Sequence, residues 1–155
     1  MSRNRRLSGL ILVASLAISV LLPGCSRNSM ERHFTLAEIQ DIFVQQGVHL
    51  VQKSADSAPD SVFAQAYNGV MPSLYSIGKE QQDPSVFIYI YPSIADATAG
   101  VNEFKDKTAA ADLVANKRYH FANVVLFYIK SDPSYEQDID QMVSRLRTPR
   151  MKRPD

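Results

Sequence analysis

The side chains able to do chemistry in this sequence are few, and the first is a single cysteine, Cys25, which ends an apolar run in Leu22-Pro23-Gly24-Cys25. A lone thiol can serve as a nucleophile, ligate a metal as thiolate, or be modified on sulfur. Three histidines, His33, His49 and His120, are dispersed without ligand spacing. A metal site would have to be assembled in three dimensions, for instance from His49, His120 and a carboxylate such as Asp112. Asp138 and Asp140 form an acidic pair near the start of an expected helix, where the helix dipole favours negative charge; such a pair reads as a solvated helix face. No G-x-S-x-G elbow, phosphate-binding glycine loop, H-E-x-x-H or EF-hand run occurs. From this inventory no catalytic residue, no metal and no cofactor is expected.

The segment before Cys25 has a pattern of its own. Arg3, Arg5 and Arg6 come without an acidic neighbour, and Leu7 to Leu22 is then aliphatic apart from Ser8, Gly9, Ser15 and Ser19. These are the charged and apolar regions of an export signal, and the apolar part is shorter than the roughly 20 residues a membrane-crossing helix needs. Together with Leu22-Pro23-Gly24-Cys25, the segment resembles the lipobox signal peptide of bacterial lipoproteins. The resemblance implies cleavage after Gly24, a diacylglyceryl group on the sulfur of Cys25, and a mature chain held in membrane lipid on the extracytoplasmic face. Ser26, not Asp, follows the cysteine; in a cell with an outer membrane the family pattern favours export to it. Each buried methylene contributes about 0.8 kcal/mol, so two acyl chains on one residue make a durable anchor. The mature part also loosely resembles small Gram-positive lipoproteins of unknown function.

On that reading residues 1–24 are a removed signal, 25–34 a lipidated tether, 35–148 a single α+β domain and 149–155 a basic tail. The mature chain has 155 − 24 = 131 residues; losing three arginines leaves 14 basic against 16 acidic side chains, a net charge of −2. A basic nucleic-acid binder is disfavoured. Once Cys25 is acylated no thiol remains, so disulfides, thiolate metal sites and cysteine nucleophiles are excluded, and stability must come from packing. In the tail, Arg150, Lys152 and Arg153 can contact lipid headgroups or an anionic wall polymer, the plainer alternative being a solvated end.

The elements that must position everything else follow from periodicity. Thr35 and Glu38 have capping-box spacing, with Phe34 and Ile39 as a hydrophobic staple, and Leu36, Ile39, Ile42 and Phe43 share one helical face. Gly47 is placed to end that helix. Val48 to Lys53 reads as a short strand, Ser54 to Ser61 as a turn-rich loop, and Ser73 to Gly78 as a strand that turns at Lys79–Pro84 into the next. In Val86 to Tyr91, residues 86, 88 and 90 oppose 87, 89 and 91, with apolar or aromatic groups on both faces, as in a central strand. A helix with Ile94, Ala97, Val101 and Phe104 on one stripe follows. Phe121 to Lys130 reads as a second central strand, and Tyr135, Ile139, Met142 and Leu146 mark a last helix. The sum is α+β: a mostly antiparallel four-stranded sheet with two or three helices on one face, in the order α-β-β-β-α-β-α. The strands at Val86 and Phe121, joined through a helix, should run parallel if they share the sheet.

Tyrosine is abundant, at positions 67, 75, 89, 91, 119 and 128 among others. If helices cover only the aliphatic face, Phe87, Tyr89, Tyr91 and Tyr128 form an amphipathic surface suited to a peptide, glycan or protein partner. The competing arrangement is a second layer, made by the Val62–Ser76 segment, that buries the same rings. The functional expectation is a membrane-anchored envelope lipoprotein acting as a non-enzymatic binding or accessory module for a membrane-associated protein or peptide. Its alternative is an envelope hydrolase or metal-binding accessory whose site is assembled only by the fold.

Overall fold

The computed structural model describes residues 32–77, 85–129 and 133–147. The expected signal segment with Gly24, the expected lipidation position Cys25, the expected turn at Lys79–Pro84, and Arg150, Lys152 and Arg153 of the tail lie outside the described residues.

Helix α1 (Leu36–Gln45) begins where the capping box puts it. The Thr35 amide donates to Glu38 Oε2 at 2.7 Å, and the Glu38 amide donates to Thr35 Oγ1 at 3.3 Å. Such a cap contributes about 1 kcal/mol. The same bonds, the Thr35 backbone N–H foremost, hold the Glu38 carboxyl below the usual carboxylate range. Gly47, just past the C-cap, has φ +75, the left-handed conformation that a side chain disfavours.

Five strands follow: β1 (Leu50–Lys53), β2 (Ser73–Ile77), β3 (Val86–Ile90), β4 (Asn116–Phe121) and β5 (Val124–Ile129). Helix α2 (Ile94–Thr108) lies between β3 and β4, and α3 (Pro133–Arg147) follows β5. The sheet order is β1-β2-β3-β5-β4, and every neighbouring pair is antiparallel. β3 and β5, the two strands expected to be central, are interior.

The expected four strands are therefore five. The single strand read from Phe121 onward is the second arm of a hairpin that turns at Ala122-Asn123, with Phe121 paired to Val124. Ala122 adopts φ 47 to make the turn. This reversal also corrects the parallel pairing: β3 and β5 are antiparallel neighbours, and the strand parallel to β3 is β4, one place further out.

The helices are not confined to one face. Ile39 and Phe43 of α1 and Ile139, Met142, Val143 and Leu146 of α3 pack on Tyr75, Ile77, Val86, Ile88, Val124, Leu126 and Tyr128. On the opposite face, Ala97, Val101 and Phe104 of α2 pack on Leu74, Phe87, Tyr89, Val125 and Phe127, joined by Phe63 and Tyr67 from the β1–β2 connection. A sheet apolar on both sides needs cover on both, and α2 with the 62–67 segment supplies the second cover.

Candidate functional site

The β1–β2 connection contains two short 3₁₀ turns, Ala55–Ser57 and Val62–Ala64, each capped by a serine: Ser54 accepts from the Asp56 amide and Ser61 from the Phe63 amide, both at 3.3 Å. Buried tyrosines hold this connection against the sheet. The Tyr67 hydroxyl donates to the Val62 carbonyl at 2.6 Å, and the Tyr89 hydroxyl lies 2.9 Å from the Phe63 carbonyl and 2.7 Å from that of Gln65. Burial raises the Tyr89 hydroxyl far above its ordinary range and pushes that of Tyr91 up to about 12, so both stay protonated. Phe63 wedges between Phe87, Phe104 and Phe127, with ring centroids 5.8, 5.8 and 5.3 Å away.

Between this connection and the α2–β4 loop lies an open cleft of about 390 Å³. Its floor is apolar, from Val62, Phe63, Phe87, Leu113 and Ile129; Ser57, Ser61, Asp60 and Asp112 line it with polar groups. Among the described residues no lysine, arginine or histidine lines it. Val114, 61 % exposed, extends the apolar surface at its edge. An apolar floor with a few polar groups is the usual make-up of a ligand cleft, and Asp60 and Asp112 favour a cation over an anion. The cleft sits at the Ile129 end of β5, whereas the Phe34 segment joins the sheet beside the β4–β5 turn at the other end. Five residue steps along β5 separate the two by about 17 Å.

At that other end Asn123, 3 % exposed, joins three segments. Its Oδ1 accepts from the Phe34 amide at 2.7 Å, and its Nδ2 donates to the carbonyls of Phe34 (3.0 Å) and Tyr91 (2.9 Å). Its backbone carbonyl accepts from the Tyr91 amide at 2.9 Å. Phe34 stacks edge-on to Phe121, and the Arg32 guanidinium lies 4.4 Å above the Phe34 ring.

The expected partner surface does not form. Phe87 (2 % exposed), Tyr89 (0 %), Tyr91 (3 %) and Tyr128 (0 %) are all buried. Nor do they share a face: Phe87, Tyr89 and Tyr91 point toward α2, whereas Tyr128, opposite Val86, points toward α1 and α3. The competing arrangement, rings buried by the Val62–Ser76 segment, holds in part: Phe63 and Tyr67 pack on Phe87 and Tyr89, and α2 shares the cover of that face.

The histidines are not brought together. His49 immediately precedes edge strand β1 and His120 lies in β4, the opposite edge, about 19 Å away at four strand spacings. Asp112 lines the cleft instead. Among the described residues no group of three or more His, Cys, Asp and Glu is placed to hold a metal ion. The Asp138–Asp140 pair does not converge either, because residues two apart on a helix do not face each other. Asp140 accepts from Lys117 Nζ at 2.6 Å and from the Tyr119 hydroxyl at 2.8 Å, and Lys117 also meets Glu136 at 3.0 Å. These bonds, that to Asp140 foremost, raise the Lys117 ammonium above its ordinary value. The network ties β4 to α3.

Asn123 and Asp60 are the functional candidates that sequence reasoning missed. The signal for Asn123 lay in the apolar pattern, which moves from Tyr119 and Phe121 at odd positions to Val124, Leu126 and Tyr128 at even ones on one face, a change that a two-residue turn at Ala122-Asn123 produces. Asp60 had none, since it stands in a loop of small polar residues.

No protein-family model, no curated protein and no solved structure matches this chain. Among the described residues no helix is long and apolar enough to cross a membrane.

Proposed function

We propose that this chain is a lipid-anchored protein of the bacterial cell envelope that acts without catalysis, binding through the cleft an apolar group bearing a positive charge on a neighbouring protein or peptide. The observation that carries the binding part is the pairing of an apolar floor with Asp60 and Asp112 in a cleft that no basic side chain lines among the described residues. The anchor rests on the Leu22-Pro23-Gly24-Cys25 pattern behind a basic and then apolar segment. The two parts are compatible, since a tether leaving from the Phe34 end keeps the cleft away from the bilayer.

Two measurements test this reading. The intact mass of the protein purified from membranes should correspond to a chain starting at Cys25 with an acylated sulfur; a full-length chain with a free thiol removes the anchor. For the cleft, amide NMR spectra of the purified protein in zwitterionic detergent should show saturable shifts at residues 57–63 and 111–114 on adding pentylammonium, and none with pentanoate. The double variant Asp60→Asn, Asp112→Asn should abolish them. Equal response to both probes, or to neither, counts against a cation-selective cleft.

A further inference from the structure

Helix α2 covers the sheet unevenly. Glu103 accepts from the Asn68 amide and pairs with Lys107 at 2.7 Å, and Lys107 stands 5.5 Å from the centre of the Tyr67 ring, so positions 103 and 107 look toward the β1–β2 connection. Lys105, two residues from each, is turned about 200° away from them, to the flank on the β4 side. In β4, the sheet edge there, Arg118 is paired with Phe127 and His120 with Val125. Phe127 and Val125 belong to the face packed by α2, so Arg118 and His120 carry their side chains on that face too. The helix leaves this strip partly uncovered: Lys105 and Arg118 are exposed and His120 is half-buried.

The charges acting on the imidazole are of one sign. β4 contributes Arg118 and α2 contributes Lys105, while from α3 the guanidinium of Arg147 donates to the His120 carbonyl at 3.1 Å. Burial first, then Arg118, Arg147 and Lys105, hold the imidazole below its ordinary value. The facing residues of β5, Val125 and Phe127, are uncharged. The acids of the surrounding elements are bound elsewhere: Glu103 on the far flank, Asp96 to Ser93 at the start of α2, and Glu136 and Asp140 to Lys117 on the other face of the sheet. Asp106 is exposed about 100° round α2 from Lys105, on the side turned away from the sheet. Glu31, Glu80, Asp83, Asp132, Asp155 and the terminal carboxylate lie outside the described residues; a binding measurement on the whole protein includes their charge.

We propose that Lys105, Arg118 and His120 form a binding site for a doubly charged tetrahedral oxyanion, phosphate or sulfate, in the groove between α2 and β4. The site is separate from the cleft: Val125, opposite His120, is four residue steps along β5 from Ile129 in the cleft floor, about 13 Å. Two fixed cations match the two charges of the ligand, and the imidazole adds a third charged donor once it takes up a proton. A bound dianion favours the protonated imidazole, so binding takes up a proton and tightens as pH falls. The phosphodiester of a lipid headgroup carries a single charge and satisfies the site less well.

NMR of the purified protein in dodecyl maltoside, at constant ionic strength, tests the proposal through the His120 ring and the amides of residues 105, 118 and 120. Sodium phosphate at about pH 7.5 should give saturable shifts there, and dimethyl phosphate, with one charge, should bind about ten-fold more weakly. Sulfate, a dianion throughout, should bind several-fold more tightly at about pH 5.5 than at about pH 7.5 and raise the pH at which His120 titrates. Lys105→Ala and Arg118→Ala, both at exposed positions, should each weaken phosphate binding about ten-fold. Lys107→Ala, on the other flank of the same helix, should leave it unchanged. Absence of saturable shifts, or an equal loss in Lys107→Ala, overturns the proposal in favour of diffuse surface charge. Equal binding of dimethyl phosphate overturns it in favour of a singly charged diester. Sulfate binding that does not change with pH overturns it by removing His120 from the site.

Discussion

At one end of the sheet a single amide side chain, Asn123, bonds to the backbone of Phe34 and Tyr91 and closes the gap where the first helix, the β4–β5 turn and the end of β3 meet. At the other end, the Val62–Ala64 turn leans on aromatic rings and two tyrosine hydroxyls, and the space left beside the α2–β4 loop stays open as the cleft. The first end is specified by directional bonds between buried groups, which tolerate little displacement. The second is held by ring packing and a few loop carbonyls, and packing alone leaves loops more freedom. Under the proposed function, the end that carries the tether gains from stiffness, and the end that receives a partner gains from its absence.

The comparison can be broken most readily at the cleft. Phe63→Ala removes the ring that meets Phe87, Phe104 and Phe127, and a large-to-small change at such a site costs about 3–5 kcal/mol. Urea unfolding measures it; a loss under about 1 kcal/mol would mean that the 62–65 turn does not depend on the aromatic core. Asn123→Ala leaves the Phe34 amide and the carbonyls of Phe34 and Tyr91 without their partner, at a cost of about 2–3 kcal/mol. If the two ends are independent, this variant keeps the amide shifts of residues 57–63 unchanged while hydrogen exchange at Phe34 accelerates. Shifts that spread to the cleft would show the ends to be coupled.

The smallest effect sharpens the electrostatic side. His120 has a folded-state value depressed below 6.5 by burial and by Arg118, Arg147 and Lys105. The unfolded chain therefore takes up its proton first as pH falls, so the stability this group contributes is full above about 6.5 and is lost as pH drops through the folded-state value. Melting temperatures measured from about pH 7 to about pH 5 should fall more for the wild type than for His120→Gln. Parallel curves for the two would place the titration elsewhere.

Much of the fold was legible because it rests on local rules. Thr35 with Glu38 marked the start of α1, Gly47 its end, and the alternation of Val86–Tyr91 a strand covered on both faces. The β4–β5 hairpin was obscured because Ala122 is an unusual residue for positive φ and both flanking stretches are apolar. The second helical layer was obscured for a related reason: alternation shows that both faces of a strand are apolar, but not which segment covers each.

By itself the sequence determined both ends of α1, the start of α2 and the two interior strands, since these depend on residues a few positions apart and on backbone sterics. Only the tertiary structure decided that Phe87, Tyr89, Tyr91 and Tyr128 are buried on two different faces, that His49 and His120 stand at opposite edges, and that Asp60 and Asp112, 52 positions apart, line one cleft. Those relations arise from the order in which strands pair, and strand order is set by the packing of the whole chain rather than by any short stretch of it.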